Sequence, residues 1–214
     1  MQGLTSEEDR LFEMAVAFLE GIGPVLARNL ISYCGTAKAI FSCKKRHLEK
    51  IPGIGPERAS AIVRSNALQL AEKEMLFISK NNIKPLFLSD KEYPRRLKQC
   101  DDAPVVIYYK GQADLNPGRL IALVGTRHIT SYGRDSIMSF IEELRAYEVT
   151  IVSGLAYGVD ITAHKESLRL GIPTIGVTAH GLDRIYPAIH RSVAEKMMQN
   201  GGLLTEYPSG TNPD

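Results

Sequence analysis

Three short stretches hold the residues best suited to chemistry: "VGTR" (124–127), "VSGLAYGVD" (152–160) and "AHGLDRIYP" (179–187). Each begins where an apolar run ends. Gly125 and Gly154 let a backbone approach a ligand closely, and Thr126 and Ser153 add small hydroxyl donors. Arg127 supplies a forked guanidinium whose geometry matches phosphate. If a helix starts after each stretch, its first N–H groups also favour an anion. Arg184 is either surface decoration or a second phosphate contact. The chemistry that this set fits is phosphate binding.

Each piece also has a plainer reading. Glycine between a strand and a helix is often only a turn. Arg127 could pair with Asp135 or Asp160. His164, inside "DITAHKESL", reads as a packed or surface histidine, and Lys165 as part of a solvated face. Tyr186 and Pro187 look like a rigid turn that packs an aromatic ring. Repetition of small, polar, glycine-bearing tips on three successive runs favours a site over three unrelated turns.

Signatures of catalysis do not appear. The chain contains no G-x-x-x-x-G-K-[ST], no G-x-S-x-G, no H-E-x-x-H and no complete G-x-G-x-x-G after a strand. Asp160 and Asp183 are the only carboxylates in the three stretches, and both suit capping better than proton transfer. The expectation is a binding protein without catalytic residues or cofactor. Three cysteines, Cys34, Cys43 and Cys100, form no C-x-x-C pair and no Cys/His cluster, which argues against a disulfide framework or metal site.

The elements that position these residues follow from pattern. With 44% apolar and 23% charged residues, the 214-residue chain is expected to be a soluble globular protein. Its net charge of +2 is mild, so any basic surface must arise by placement. No apolar run is long enough for a transmembrane helix, and the acidic start "MQGLTSEEDR" is unlike a signal peptide, so a cytoplasmic location is expected.

The first part reads as helix. Thr5 and Glu8 have capping-box spacing, and Leu11, Met14, Ala15, Phe18 and Leu19 recur with helical period. A Gly-Ile-Gly-Pro element at 21–24 repeats at 53–56, each time as a tight turn opening a helix. These two units have the look of helix-hairpin-helix elements, able to offer amides to a phosphate or to serve only as packing modules. A long helical pattern runs on through "ERASAIVRSNALQLAEKEMLFISKNN".

Beyond Asn82 the grammar changes. Runs rich in Ile, Val, Leu and Tyr, "IKPLFLS", "PVVIYYKG", "RLIALVG", "VTIVSG", "PTIGVTA" and "GLLTEYP", read as strands. Helices are expected near 131–147, 158–170 and 189–200, with Gly171 and Pro173 stopping the second. The alternation predicts an α/β fold: a Rossmann-like, mostly parallel sheet with helices on both faces, over residues 83–214. A small all-α helix-hairpin-helix domain, residues 1–82, precedes it. Ligands of such sheets bind beyond the carboxyl ends of the strands, where the three stretches converge. The chain stops at "SGTNPD" just after a strand, so a C-terminal part is expected to be missing.

In order and spacing, "PGIGP", "VGTR", "YG" (132–133), "SGLAYGVDITAH", "HGLDRIYP" and "NGGLLTEYPSG" resemble the bacterial DNA-processing family DprA, also called Smf. The resemblance implies a sterile-alpha-motif-like helical module before an extended Rossmann domain. It implies single-stranded DNA held in a basic pocket, loading of the RecA recombinase on that strand during natural transformation, and a homodimer formed through the Rossmann domain. The family's phosphate-binding residues carry over to Gly125, Thr126 and Arg127, and to the 153–158 loop with Ser153, Gly154, Leu155 and Gly158.

Two features depart from the family pattern. The arginine- and asparagine-rich segment that usually follows "TEYPSGT" is absent, and Ala188-Ile189-His190 stands where many relatives are more polar. Contacts to the strand's backbone predict no sequence preference. Other readings are a small-nucleotide binding module and a nucleotide phosphoribohydrolase-like enzyme. The "PGG-x-GT-x-x-E" string of such enzymes does not occur.

Overall fold

A computed structural model describes residues 6–213. Two compact units divide it: Met1–Asn81 with Pro85–Val106, and Asn82–Lys84 with Ile107–Asp214.

In the first unit, α1 (Glu7–Val16) starts at a capping box made by Ser6 and Asp9. The Asp9 N–H donates to the Ser6 hydroxyl and the Ser6 N–H to the Asp9 carboxylate. Thr5, the residue expected to cap, lies outside the described residues. Helices α2 (Pro24–Cys34), α3 (Ala37–Ser42), α4 (Lys45–Leu48) and α5 (Gly55–Arg64) follow.

The expected long helix is interrupted: α6 (Ala67–Lys80) is separate from α5. Ser65 is extended at φ −68, ψ 148, which ends α5, and the Asn66 carbonyl accepts the first bond of the new helix from Leu70. Residues 85–106, with β1 (Lys84–Phe87) and α7 (Arg95–Lys98), are tied to these helices. Arg10 pairs with Asp90, and Arg28 donates to the Cys100 and Asp101 carbonyls at 3.0 and 2.9 Å. Met14, Leu30, Ile40, Leu48, Ile54 and Leu86 make up the fully buried interior.

Glycine sets both hairpin turns. Gly21, Gly53 and Gly55 have φ of 70°, 82° and 56°, which L-residues with a Cβ resist. Arg58 joins the two turns, donating to the Gly21 carbonyl at 3.1 Å and the Gly53 carbonyl at 2.8 Å.

The second unit alternates strands and helices: β2 (Val106–Gly111), β3 (Arg119–Ala122), α8 (Ser131–Leu144), β4 (Val149–Ser153), α9 (Val159–Leu170), β5 (Thr174–Val177), α10 (Arg191–Asn200) and β6 (Gly201–Thr205). The strand order is β2-β6-β5-β4-β3. Strands β3 to β6 are parallel, and β2 runs antiparallel to β6. Ile141, Val149, Ile151, Ala163 and Ile172 fill one apolar cluster; Leu155, Ala194, Met197 and Leu203 fill another. Gly171, left-handed at φ 72°, ends α9 where the sequence places its stop. Among the described residues, no helix is long and apolar enough to cross a membrane.

Candidate functional site

Parallel pairing brings the ends of β3, β4 and β5 side by side, because Val152 sits between Ala122 and Ile175 in register. Beyond them lies a cavity of about 240 Å³, lined among others by Arg127, Gly154, Tyr157, His180 and Tyr186.

The loops around it are built by packing against one another. Gly158, at φ 79°, caps α9, and a Cβ there would lie 2.1 Å from the Thr126 carbonyl oxygen. The next amide, Val159, donates to that same oxygen at 3.1 Å, so the "VGTR" loop is fastened to the start of α9. A Cβ on Gly125 would fall 2.5 Å from a Val159 methyl, and one on Gly154 2.4 Å from an Asp160 oxygen. These glycines are required by loop-on-loop contact, whereas the sequence suggested ligand approach.

Several polar groups are consumed in the same construction. The Thr126 hydroxyl accepts from the His128 amide at 3.1 Å, shaping its own turn. Ser153 is buried and its hydroxyl donates to the Leu123 carbonyl at 2.5 Å, so it braces β4 against β3 instead of facing a ligand. Leu155 is buried in the apolar cluster with Ala194, Met197 and Leu203, and its carbonyl accepts from His190 at 2.8 Å. Arg184 donates to both Asp183, at 2.8 and 2.7 Å, and Asn212, at 2.5 Å, so its charge is already matched. Burial pushes the Asp183 carboxyl up, but the bonds from Arg184 and the Gly210 amide outweigh it and hold the group below its ordinary value.

Arg127 differs from all of these. Its side chain is exposed and makes no hydrogen bond or ion pair with any described residue. Asp160, one of its possible partners, is buried and accepts instead from the Ala156 amide at 3.3 Å. The guanidinium therefore stands at the cavity with its charge and five donors open.

His164 holds the floor of the site. It is fully buried, with Nε2–H donating to the Gly154 carbonyl at 2.6 Å and Nδ1 accepting from the Thr174 hydroxyl at 2.7 Å. Burial lowers its pKa to about 4, so the ring is neutral near pH 7 and acts as a strut between α9, β4 and β5. Lys165 beside it is exposed.

Two aromatic residues escaped the reading of the sequence. Tyr157 and Tyr186 are 50% and 55% exposed at the cavity, and the Tyr186 ring is not packed away in its turn. Tyr157 meets His190 edge-on with ring centroids 5.0 Å apart. A large aromatic between the glycines of "SGLAYGVD" was the available signal, since no apolar stripe there could absorb it. Among the described residues, no group of three or more His, Cys, Asp or Glu side chains could hold a metal ion.

Comparison with known proteins supplies the relatives of this arrangement. The family model for DNA recombination-mediator protein A matches residues 84–214, and that for a SAM-like helix-hairpin-helix tandem matches residues 13–65. Protein Smf of Synechocystis is 32% identical over 98% of this chain and 54% of its own length. The DNA processing protein DprA of Bacillus subtilis is 39% identical over 59% of this chain and 43% of its own. The chain thus spans about half the length of the curated relatives it matches. Among solved structures, DprA of Streptococcus pneumoniae superimposes with a TM-score of 0.75 at 25% identity, covering 95% of this chain and 70% of that one. DprA of Helicobacter pylori, studied for its single-stranded DNA binding mode, gives a TM-score of 0.55 at 31% identity over 62% of this chain and 59% of that one.

Proposed function

The chain belongs to the family of DNA recombination-mediator protein A, and on that footing we propose that it binds single-stranded DNA at the ends of β3, β4 and β5. The observation that carries this reading is the open guanidinium of Arg127 beside two half-exposed tyrosine rings at one cavity. A single strand offers a phosphate for the first and unpaired base faces for the second. The single-stranded DNA binding of the Helicobacter pylori relative supports the same assignment.

Carboxylates near the cavity favour binding over catalysis, because Asp160 and Asp183 are both engaged by backbone amides. Seven of the eight residues expected to contact DNA then have two roles. Gly125, Thr126, Ser153, Gly154, Leu155 and Gly158 build the loops, and Arg127 makes the phosphate contact. Arg184 is reserved for its own loop by Asp183 and Asn212. Loading of RecA on the bound strand, a part in natural transformation and a homodimer through the Rossmann-like unit belong to the same proposal, by the family resemblance.

Fluorescence anisotropy of a labelled oligo-dT strand at several salt concentrations tests it. The expected log–log slope is roughly −0.7 per phosphate neutralised, with duplex a poor competitor. Arg127→Ala is expected to lower affinity for every single strand by about the same factor. Tight binding of a mononucleotide, with none of oligo-dT, would replace this reading by the small-nucleotide one.

A further inference from the structure

Among the described residues, one buried side-chain nitrogen or oxygen has no hydrogen-bond partner: Nε2 of His180. Buried polar groups are almost always paired, so an orphan at a cavity is a candidate ligand contact. His180 is 2% exposed and is fixed in place. Its Nδ1 lies 2.9 Å from the Gly181 carbonyl, and its own carbonyl accepts from the Thr178 hydroxyl at 3.1 Å. A carbonyl only accepts, so the ring proton sits on Nδ1 and the neutral ring keeps a lone pair at Nε2. The other two buried histidines are engaged: His164 uses both nitrogens, and His190 donates to Leu155.

His180 lines the same cavity as Arg127, Tyr157 and Tyr186. At about 240 Å³, that space is smaller than the roughly 300–1,000 Å³ of pockets for drug-sized ligands. It suits one base and not a base pair. Inside a continuous DNA strand, the sugars carry no hydroxyl and the phosphodiesters no proton. The only hydrogen-bond donors a strand can offer are the N–H groups of its bases, and each base has one on its Watson–Crick edge. In a duplex those donors are already paired.

We propose that His180 Nε2 accepts a hydrogen bond from the Watson–Crick N–H of one unpaired base seated in the cavity, and so makes the site selective for single strands over duplex. This rests on the single-stranded DNA reading above. Arg127 takes the phosphate and tolerates any sequence; His180 requires that the base be unpaired and equally tolerates any sequence. The two residues divide affinity from strand selectivity.

Thymine provides the test, because N3–H is its single N–H donor. Wild-type protein is titrated with oligo-dT and with the same strand carrying N3-methylthymine throughout, and His180→Phe is titrated with both. The expected result is about a tenfold preference of the wild type for oligo-dT that disappears in His180→Phe. In parallel, the Nε2 resonance of ¹⁵N-histidine-labelled wild type is expected to move upfield on adding oligo-dT and to stay in place with the methylated strand. That second measurement stands even if His180→Phe does not fold. Equal wild-type affinity for both strands, an unmoved Nε2 resonance with oligo-dT, or a preference that survives in a folded His180→Phe would overturn the role of His180 and leave DNA binding intact. Failure of the wild type to bind either strand would overturn the DNA reading and this inference with it.

Discussion

Two loops of this protein combine glycine with arginine, and they put the arginine to opposite uses. At the Gly-Ile-Gly hairpins, Arg58 is spent on the Gly21 and Gly53 carbonyls. At the end of β3, Arg127 bonds to no described residue. The difference lies in how the backbone around each is satisfied. In the hairpins the turns leave two carbonyl oxygens without backbone donors, and the guanidinium supplies them. At the strand ends the backbone closes on itself, with Val159 donating to Thr126 and Leu123 to Val152. Nothing there competes with a ligand for the cation. A glycine-rich loop holds an available arginine only when its own carbonyls are answered elsewhere.

Glycine substitutions should separate the two loops by the largest margin. Gly158→Val places a Cβ about where the Thr126 oxygen sits, at a left-handed φ, and no flexible side chain can yield. We expect a loss of about 4 kcal/mol in unfolding free energy by urea titration, together with loss of strand binding. Gly21→Ala meets the same left-handed φ but open space, so its cost should be only about 1–2 kcal/mol. Equal costs would mean that the "VGTR" loop is not fastened to α9 in solution.

Much of this was legible because local signals agreed with the fold. Apolar runs bounded by glycine and proline marked every strand of the second unit, and Gly171 marked the end of α9 as a left-handed cap does. The break at Ser65 was not legible, since Arg64 to Leu70 contains no glycine or proline and helical propensity runs straight through it. The site residues divide in the same way. Arg127 could be named from its type and place at a strand end. The fates of Ser153 and Arg184 are decided by Leu123 and Asn212, about 30 residues away in sequence, and no local pattern carries that. His180 stood inside a quoted motif, yet an unpartnered Nε2 is a property of three-dimensional surroundings alone.

Rigidity at the strand ends should also be visible in pH dependence. His164 is neutral in the folded protein because burial depresses its pKa to about 4, against about 6.5 when unfolded. The unfolded chain therefore binds the extra proton between those values. The stabilisation is fully present above pH 6.5, declines as pH falls toward 4 and levels off below. It amounts to about 3 kcal/mol, so unfolding free energy should drop by about that much more in the wild type than in His164→Gln over this window. The hairpins offer no such titration, since Arg58 keeps its charge throughout. A slope unchanged by His164→Gln would show that the strut is dispensable to the site's floor.

The finest discrimination comes from exchanging the two arginines' losses. Arg58→Ala removes donors from two exposed carbonyls that water can partly replace, so the cost should be about 1 kcal/mol of stability with no change in oligo-dT affinity. Arg127→Ala removes no internal bond, so stability should stay within about 0.5 kcal/mol of wild type while affinity falls. If the effects crossed, with Arg58→Ala weakening binding and Arg127→Ala lowering stability, the hairpins would be the phosphate site and the strand end a structural joint. If both substitutions weakened binding, the strand would run over both loops. Measuring stability and affinity on the same two variants therefore decides which arginine is structural and which is held open for DNA.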